Sequence, residues 1–136
     1  MKINKIEFEN FRNFKDRGEI KCSTDGKVTI VYGKNGDGKT TLHQLFQWVF
    51  YGQVHFNKTT TDRLYNLQYE SECSFGDIFQ VMGCIDFEHA GTQYSLRRTY
   101  TYKKNLNDSE KLQKIFLCSI WIPTTTGEES INLKRQ

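Results

Sequence analysis

No stretch of this sequence approaches the roughly 18 apolar residues that a membrane helix requires. The N-terminus, Met1-Lys2-Ile3-Asn4-Lys5-Ile6-Glu7, lacks the apolar core of a secretory signal and alternates like a strand. Cysteine is scattered: Cys22, Cys73, Cys84 and Cys118 form no C-x-x-C pair, and no His stands at metal-ligand spacing. These absences argue against a secreted disulfide framework and against zinc, so the cysteines read as small reduced thiols. There are no repeats and no low-complexity segments. A cytoplasmic protein is expected.

The 136 residues suffice for one domain with its own core. Apolar residues make up 37% and charged residues 26%, a globular composition. The net charge of +3 and pI near 8.6 permit nucleic-acid binding without arguing for it, because charge-driven binders usually exceed a pI of about 9.

Ile3 to Phe8 alternates as a half-buried strand, and Asn10-Phe11-Arg12-Asn13-Phe14 breaks it as a turn with two aromatic anchors. Gly18 to Cys22 completes a hairpin, and Ser23 to Gly26 is a loop. Val28-Thr29-Ile30-Val31-Tyr32 is a continuous β-branched and aromatic run, which predicts a strand buried on both faces. From Thr40 the period becomes helical: Leu42, Leu45, Phe46, Val49 and Phe50 form one stripe, with Gly52 as the C-cap. Gln53 to Ser74, including the polar cluster Asn57 to Asp62, reads as a loop with one short turn. Phe79 to Phe87 and Gln93 to Tyr102 read as a hairpin around His89-Ala90-Gly91-Thr92. Lys103 to Glu110 is polar, Ile115 to Ile122 a further strand, Pro123 to Ser130 a turn, and Ile131 to Gln136 the start of another element.

Between the run at 28–32 and the helix stands Gly33-Lys34-Asn35-Gly36-Asp37-Gly38-Lys39-Thr40, a full G-x-x-x-x-G-K-[ST] loop. Gly33, Gly36 and Gly38 let the backbone turn with positive φ and approach a phosphate without a Cβ clash. The loop N–H groups, those of Asn35 and Asp37 included, form an anion nest, and the helix adds its positive N-terminal end. Lys39 is the expected catalytic cation on the β- and γ-phosphates, the Thr40 hydroxyl the Mg²⁺ ligand, and Thr41 a further hydroxyl near the α-phosphate. ATP with Mg²⁺ is the expected ligand. The competing reading is a glycine-rich surface turn with an incidental lysine.

The opening Ile3-x-x-Ile6-x-Phe8-x-Asn10-Phe11-Arg12-Asn13-Phe14, followed by Val28 to Leu42, resembles the N-terminal lobe of the SMC/RecF-type ATPases. That group includes the coiled-coil subunit of the double-strand-break repair nuclease, DndD-type proteins of DNA phosphorothioation systems, and related phage-defence ATPases. The helix end Phe50-Tyr51-Gly52 is similar, and Ile85-x-Phe87, Gly91 and Tyr94-x-Leu96-Arg97-Arg98 resemble the lobe's hairpin; residues 1–102 carry the likeness. The resemblance implies an α/β P-loop NTPase fold, lobe I of an ABC-type head, with a central P-loop strand-helix unit and a flanking, largely antiparallel sheet. It places Arg12 near the phosphates as a second cation, where the alternative is a surface arginine in a turn. It sets Leu64-Tyr65-Asn66 near the adenine edge.

In that family the site is composite: a second head supplies a signature motif, and a C-terminal lobe beyond a coiled coil supplies the Walker B aspartate and the catalytic glutamate. None of these motifs is present. Asp77 and Asp86 read as solvated carboxylates, and Gln80, Gln93 and Gln136 are poor matches to the family's glutamine. Residues 1–136 are therefore expected to be one ATP-binding lobe of a longer ATPase, binding ATP but hydrolysing it negligibly alone. Expected partners are a second head, joined through ATP as a homodimer, the C-terminal lobe of the same protein, DNA, and a nuclease or effector subunit. Two other readings are a self-contained P-loop kinase or GTPase, and a DNA-binding module using Arg97-Arg98 and Tyr100 to Lys104 with a vestigial loop. On a strand Arg98, Tyr100 and Tyr102 share one face, and the plainer reading is a solvated hairpin face with a few buried rings.

Overall fold

The computed structural model describes residues 1–23, 25–54, 63–124 and 127–135. The expected polar cluster at 57–62 and Gln136 lie outside them. Eight elements follow in order: β1 (Lys2–Glu9), β2 (Gly18–Lys21), α1 (Lys39–Tyr51), α2 (Leu67–Glu72), β3 (Ile78–His89), β4 (Thr92–Lys104), β5 (Ser109–Thr124) and β6 (Gly127–Arg135). The strands form one sheet in the order β2-β1-β3-β4-β5-β6, and every ladder is antiparallel. The expected hairpins are present, the second turning at Ala90 and Gly91, both with positive φ. Pro123 to Ser130 is not one long turn: β5 continues to Thr124 and β6 begins at Gly127, because paired backbone satisfies donors that an open loop would leave to water.

The helix α1 lies on one face of this sheet, and Gly83 of β3 permits the close approach. A Cβ built there would stand 2.8 Å from Leu45 Cδ1, 2.9 Å from Val49 Cγ2 and 3.1 Å from Trp48 Cζ3. Leu42, Leu45 and Val49 are buried as the stripe predicted, while Phe46 and Phe50 are only partly buried. Trp48, outside the predicted stripe, is fully buried, stacked on Phe11 at 5.3 Å and edge-on to Tyr100 at 5.0 Å. A ring this large extends the apolar face sideways, which a narrow periodic stripe misses.

Arg98 corrects the expectation of a solvated hairpin face. Its face of β4 is the one under α1, where Tyr100 and Tyr102 are buried. Its Nε donates to Val49 O at 2.8 Å, and its guanidinium lies 4.2 Å from the Phe116 ring centroid. The last turn of α1 has no basic residue of its own. Arg98 supplies the cation that favours a helix C-terminus, and Gly52 ends the helix at φ 75° where a side chain would meet that guanidinium. The solvated face is the other one, where Arg97 is exposed.

Val28 to Tyr32 departs most from expectation. No strand forms there, and Val28, Ile30 and Tyr32 are 83%, 77% and 92% exposed. A doubly buried parallel strand needs a hydrogen-bonding neighbour on each side. The antiparallel sheet pairs its own strands with one another and none with this run. Among the described residues, the central P-loop strand is therefore absent, and the fold is a helix on an antiparallel sheet.

The short α2 is held by charge. Glu70 lies 2.6 Å from Lys104 Nζ and accepts from Ser109 Oγ at 2.9 Å, while Lys15 reaches Glu72 at 2.6 Å. Burial alone would raise the Glu70 carboxyl, but Lys104 and Ser109 bring it below its ordinary value. A carboxyl depressed on folding contributes stability above its unfolded pKa and loses it as pH falls through the folded value. The melting temperature should accordingly fall on acidification below about pH 4.5, with Glu70→Gln showing a smaller fall than the parent. Filling the β3–α1 contact is a separate test: Gly83→Ala should cost about 1–3 kcal/mol, read as a lower denaturant midpoint.

Candidate functional site

Of the three loop glycines expected to have positive φ, Gly36 and Gly38 do and Gly33 does not. Gly36 and Gly38 take φ of 97° and 98°, a region where a Cβ is strained. The loop is braced from inside: Lys34 N donates to Asp37 Oδ2 at 2.6 Å, and Asp37 N to Lys34 O at 3.2 Å. Gly33 packs closely on Asp37: a Cβ there would sit 3.0 Å from Asp37 Oδ2, and the carboxylate would have to give way by a few tenths of an ångström. Asn35, Gly36, Asp37, Lys39 and Thr40 are exposed, whereas Thr41 is 3% exposed and turned toward the core.

Gly38 is the N-cap of α1, and Leu42 N donates to Gly38 O at 2.8 Å. No side chain caps this end, and no acid lies in its first turn. The positive end of a 13-residue helix thus faces outward with no carboxylate of its own turn to offset it. Lys39 folds back, its Nζ donating to Gly33 O and, at 2.9 Å, to Lys34 O. Among the described residues it bonds to neutral carbonyls, so this ammonium keeps its charge available to an anion. The donor set fits a phosphate.

Phe14 joins the loop to the first strand. A Cβ on Gly38 would come within 2.7 Å of Phe14 Cε1, and Phe14 stacks on Phe8 of β1 at 4.3 Å. The ring belongs to the Asn-Phe-Arg turn, whose Phe11 is wholly buried and accepts from Phe14 N at 2.8 Å. Arg12, two residues earlier, is half-buried, and burial lowers its guanidinium pKa from the ordinary value. Its Nη1 donates to Arg63 O at 3.3 Å. Arg12, Arg63, Tyr65 and Asn66 help line a cleft of about 380 Å³.

Asp77 and Asp86 stand elsewhere, Asp77 accepting from Ser74 N at 2.8 Å in a turn and Asp86 lying 3.4 Å from Lys5. Two residues have contacts beyond those the sequence reading gave them, Asn66 having been set only near the adenine edge. Phe14 was visible only as an anchor, not as the plate under Gly38. Asn66, the N-cap of α2, bonds to the Asn10–Arg12 turn, which its cap position before Leu67 could have signalled in part.

A protein family described as an AAA domain matches residues 5–136. The chain belongs to the AAA-domain family. This AAA domain is similar to the DNA replication and repair protein RecF of Rickettsia bellii, 28% identical over 88% of the chain and 32% of the relative. It is also similar to RecF of Lactococcus lactis, 29% identical over 66% of the chain and 22% of that protein. A shorter match, 39% identical over 36% of the chain, is to the chromosome partition protein Smc of Mesomycoplasma hyorhinis, of which it covers 5%. The likeness to the N-terminal region of SMC/RecF-type ATPases is thereby shown. The AAA domain spans about a third or less of the length of these curated relatives.

The contact at Gly38 yields a direct expectation. Gly38→Ala should displace Phe14 and strain the cap by about 1–2 kcal/mol, lowering the melting temperature of the AAA domain even without ligand.

Proposed function

We propose that this chain binds ATP through the loop Gly33 to Thr40, as the N-terminal half of an SMC/RecF-like ATPase head acting in DNA repair, DNA maintenance or phage defence. The observation that carries the reading is the uncapped N-terminus of α1, ringed by Gly36, Gly38 and Lys39 with no acid in its first turn. Asn35, Gly36 and Gly38 offer backbone donors to the phosphates, Asp37 joins them on releasing Lys34 O, and Lys39 exchanges its two carbonyl partners for phosphate oxygens. Thr40, exposed at the first turn, is the residue that would hold Mg²⁺, which supplies charge neutralisation across the β- and γ-phosphates. Thr41 contributes its backbone N–H more readily than its buried side chain. Arg12 is the second cation.

Hydrolysis needs an acid to order Mg²⁺ and a base to activate water, and the reading takes both from the C-terminal lobe of the same protein. Support comes from Val28 to Tyr32, an exposed apolar run leading straight into the loop, whose composition suits a strand with neighbours on both sides. A second head, joined as a homodimer through ATP, and DNA as the ligand of the assembled heads follow from the same reading, together with a nuclease or effector subunit. The relatives' roles in replication, repair and chromosome partition agree with it. The DNA-module alternative loses support because Arg98 is engaged with Val49 O and Phe116.

Calorimetry on the 136-residue chain tests the core claim. Lys39→Ala should weaken Mg·ATP binding by more than about tenfold with the circular dichroism unchanged, and GTP should compete poorly. Unchanged Mg·ATP affinity in that variant would refute the assignment; GTP preference would move it to the kinase or GTPase class.

A further inference from the structure

Two non-glycine residues in the Asn-Phe-Arg turn take left-handed backbone angles, Asn10 at φ 51° and Arg12 at φ 52°. Such angles persist only where surrounding bonds over-determine them. Here the bonds come from the 64–66 segment and from β3. Asn66 Nδ2 donates to Arg12 O at 2.6 Å, and Asn66 N donates to Asn10 Oδ1 at 3.0 Å. Asn10 in turn donates through Nδ2 to Gln80 O of β3 at 3.0 Å, and Arg12 N donates to Leu64 O at 2.7 Å. Asn66 Oδ1 meanwhile accepts from Tyr69 N at 2.9 Å as the cap of α2. Asn10 and Asn66 are 1% and 9% exposed, so these bonds are sheltered from water.

We propose that Asn66 is a positioning residue for the nucleotide site: its side-chain amide, bonded to the Arg12 carbonyl, and its backbone N–H, bonded to Asn10, lock the left-handed turn that carries Arg12, while Phe14 of the same turn registers it against Gly38 of the loop. The inference rests on the reading of Gly33 to Thr40 as an ATP site with Arg12 as its second cation. Asn66 touches no ligand in this scheme and acts only through Arg12. Nothing in the residue types at 64–66 reveals this role, because the partner lies 54 positions away.

One substitution separates the two duties of Asn66. Asn66→Asp keeps the acceptor that caps α2 but sets a carboxylate against the Arg12 carbonyl, acceptor facing acceptor. Mg·ATP binding would be measured for the parent, Lys39→Ala, Arg12→Ala, Asn66→Asp and the Arg12→Ala/Asn66→Asp pair. The expected result is a loss of about tenfold in both Arg12→Ala and Asn66→Asp, with the pair losing no more than either alone. A purely structural role would instead give losses that multiply, and that outcome overturns the proposal, as does parent-like binding by Asn66→Asp. If Lys39→Ala loses binding but Arg12→Ala does not, the proposal falls while the loop assignment stands. If Lys39→Ala binds like the parent, the ATP-site reading itself fails. Should Asn66→Asp not fold, Asn66→Ser, which caps but cannot reach Arg12 O, runs the same cycle.

Discussion

The seating of α1 on Gly83 governs the placement of everything else. A glycine in the middle of β3 lets the helix approach until Leu45, Trp48 and Val49 meet the strand backbone, and Trp48 then fills the space between Phe11 and Tyr100. Packing at this density transmits small displacements, because neighbouring side chains have little room to yield. With the helix so held, its two ends acquire fixed surroundings. The N-terminus carries the glycine-rich loop, and the C-terminus meets Arg98 from β4. A cation at one end and an uncapped, acid-free turn at the other agree with the direction of the helix dipole.

The loop is held a second time, from beneath. Phe14 lies between Phe8 of β1 and Gly38, so the first strand, the turn after it and the N-cap of α1 form one stack. The strained angles at Asn10 and Arg12 are tolerable because Asn66, Leu64 and Gln80 bind that turn from two other segments. Strain of this kind persists where surrounding bonds over-determine the backbone, and here it sets the course of the turn that carries Arg12 and Phe14.

The exposed run from Val28 to Tyr32 is the counterpart of the well-formed antiparallel sheet. Sheet pairing is satisfied among β1 to β6, and the run that leads into the loop has no share in it. Apolar side chains and backbone groups left together at a surface favour further burial. On the proposed reading, the two shortfalls of this chain are one: the strand lacks neighbours where the site lacks its acid and its base.

Much of the architecture was legible in local pattern. Alternation marked β1, the turn at 89–92 marked the β3–β4 hairpin, a change to helical period marked α1, Gly52 marked its end, and the loop's glycines foretold the positive φ of Gly36 and Gly38. These are properties of a few consecutive residues, set by backbone sterics and periodicity. Long-range features were not legible. Burial of Val28 to Tyr32 depended on neighbouring strands, which residue type cannot guarantee. Trp48, Arg98, Phe14 and Asn66 take their roles from partners distant in the chain: Tyr100, Val49, Gly38 and Arg12 respectively. The loop's glycine-rich course is written in consecutive residues; the brace on the Asn10–Arg12 turn and the seat of the helix arise only once distant segments meet, because hydrogen bonds and packing act through space rather than along the chain.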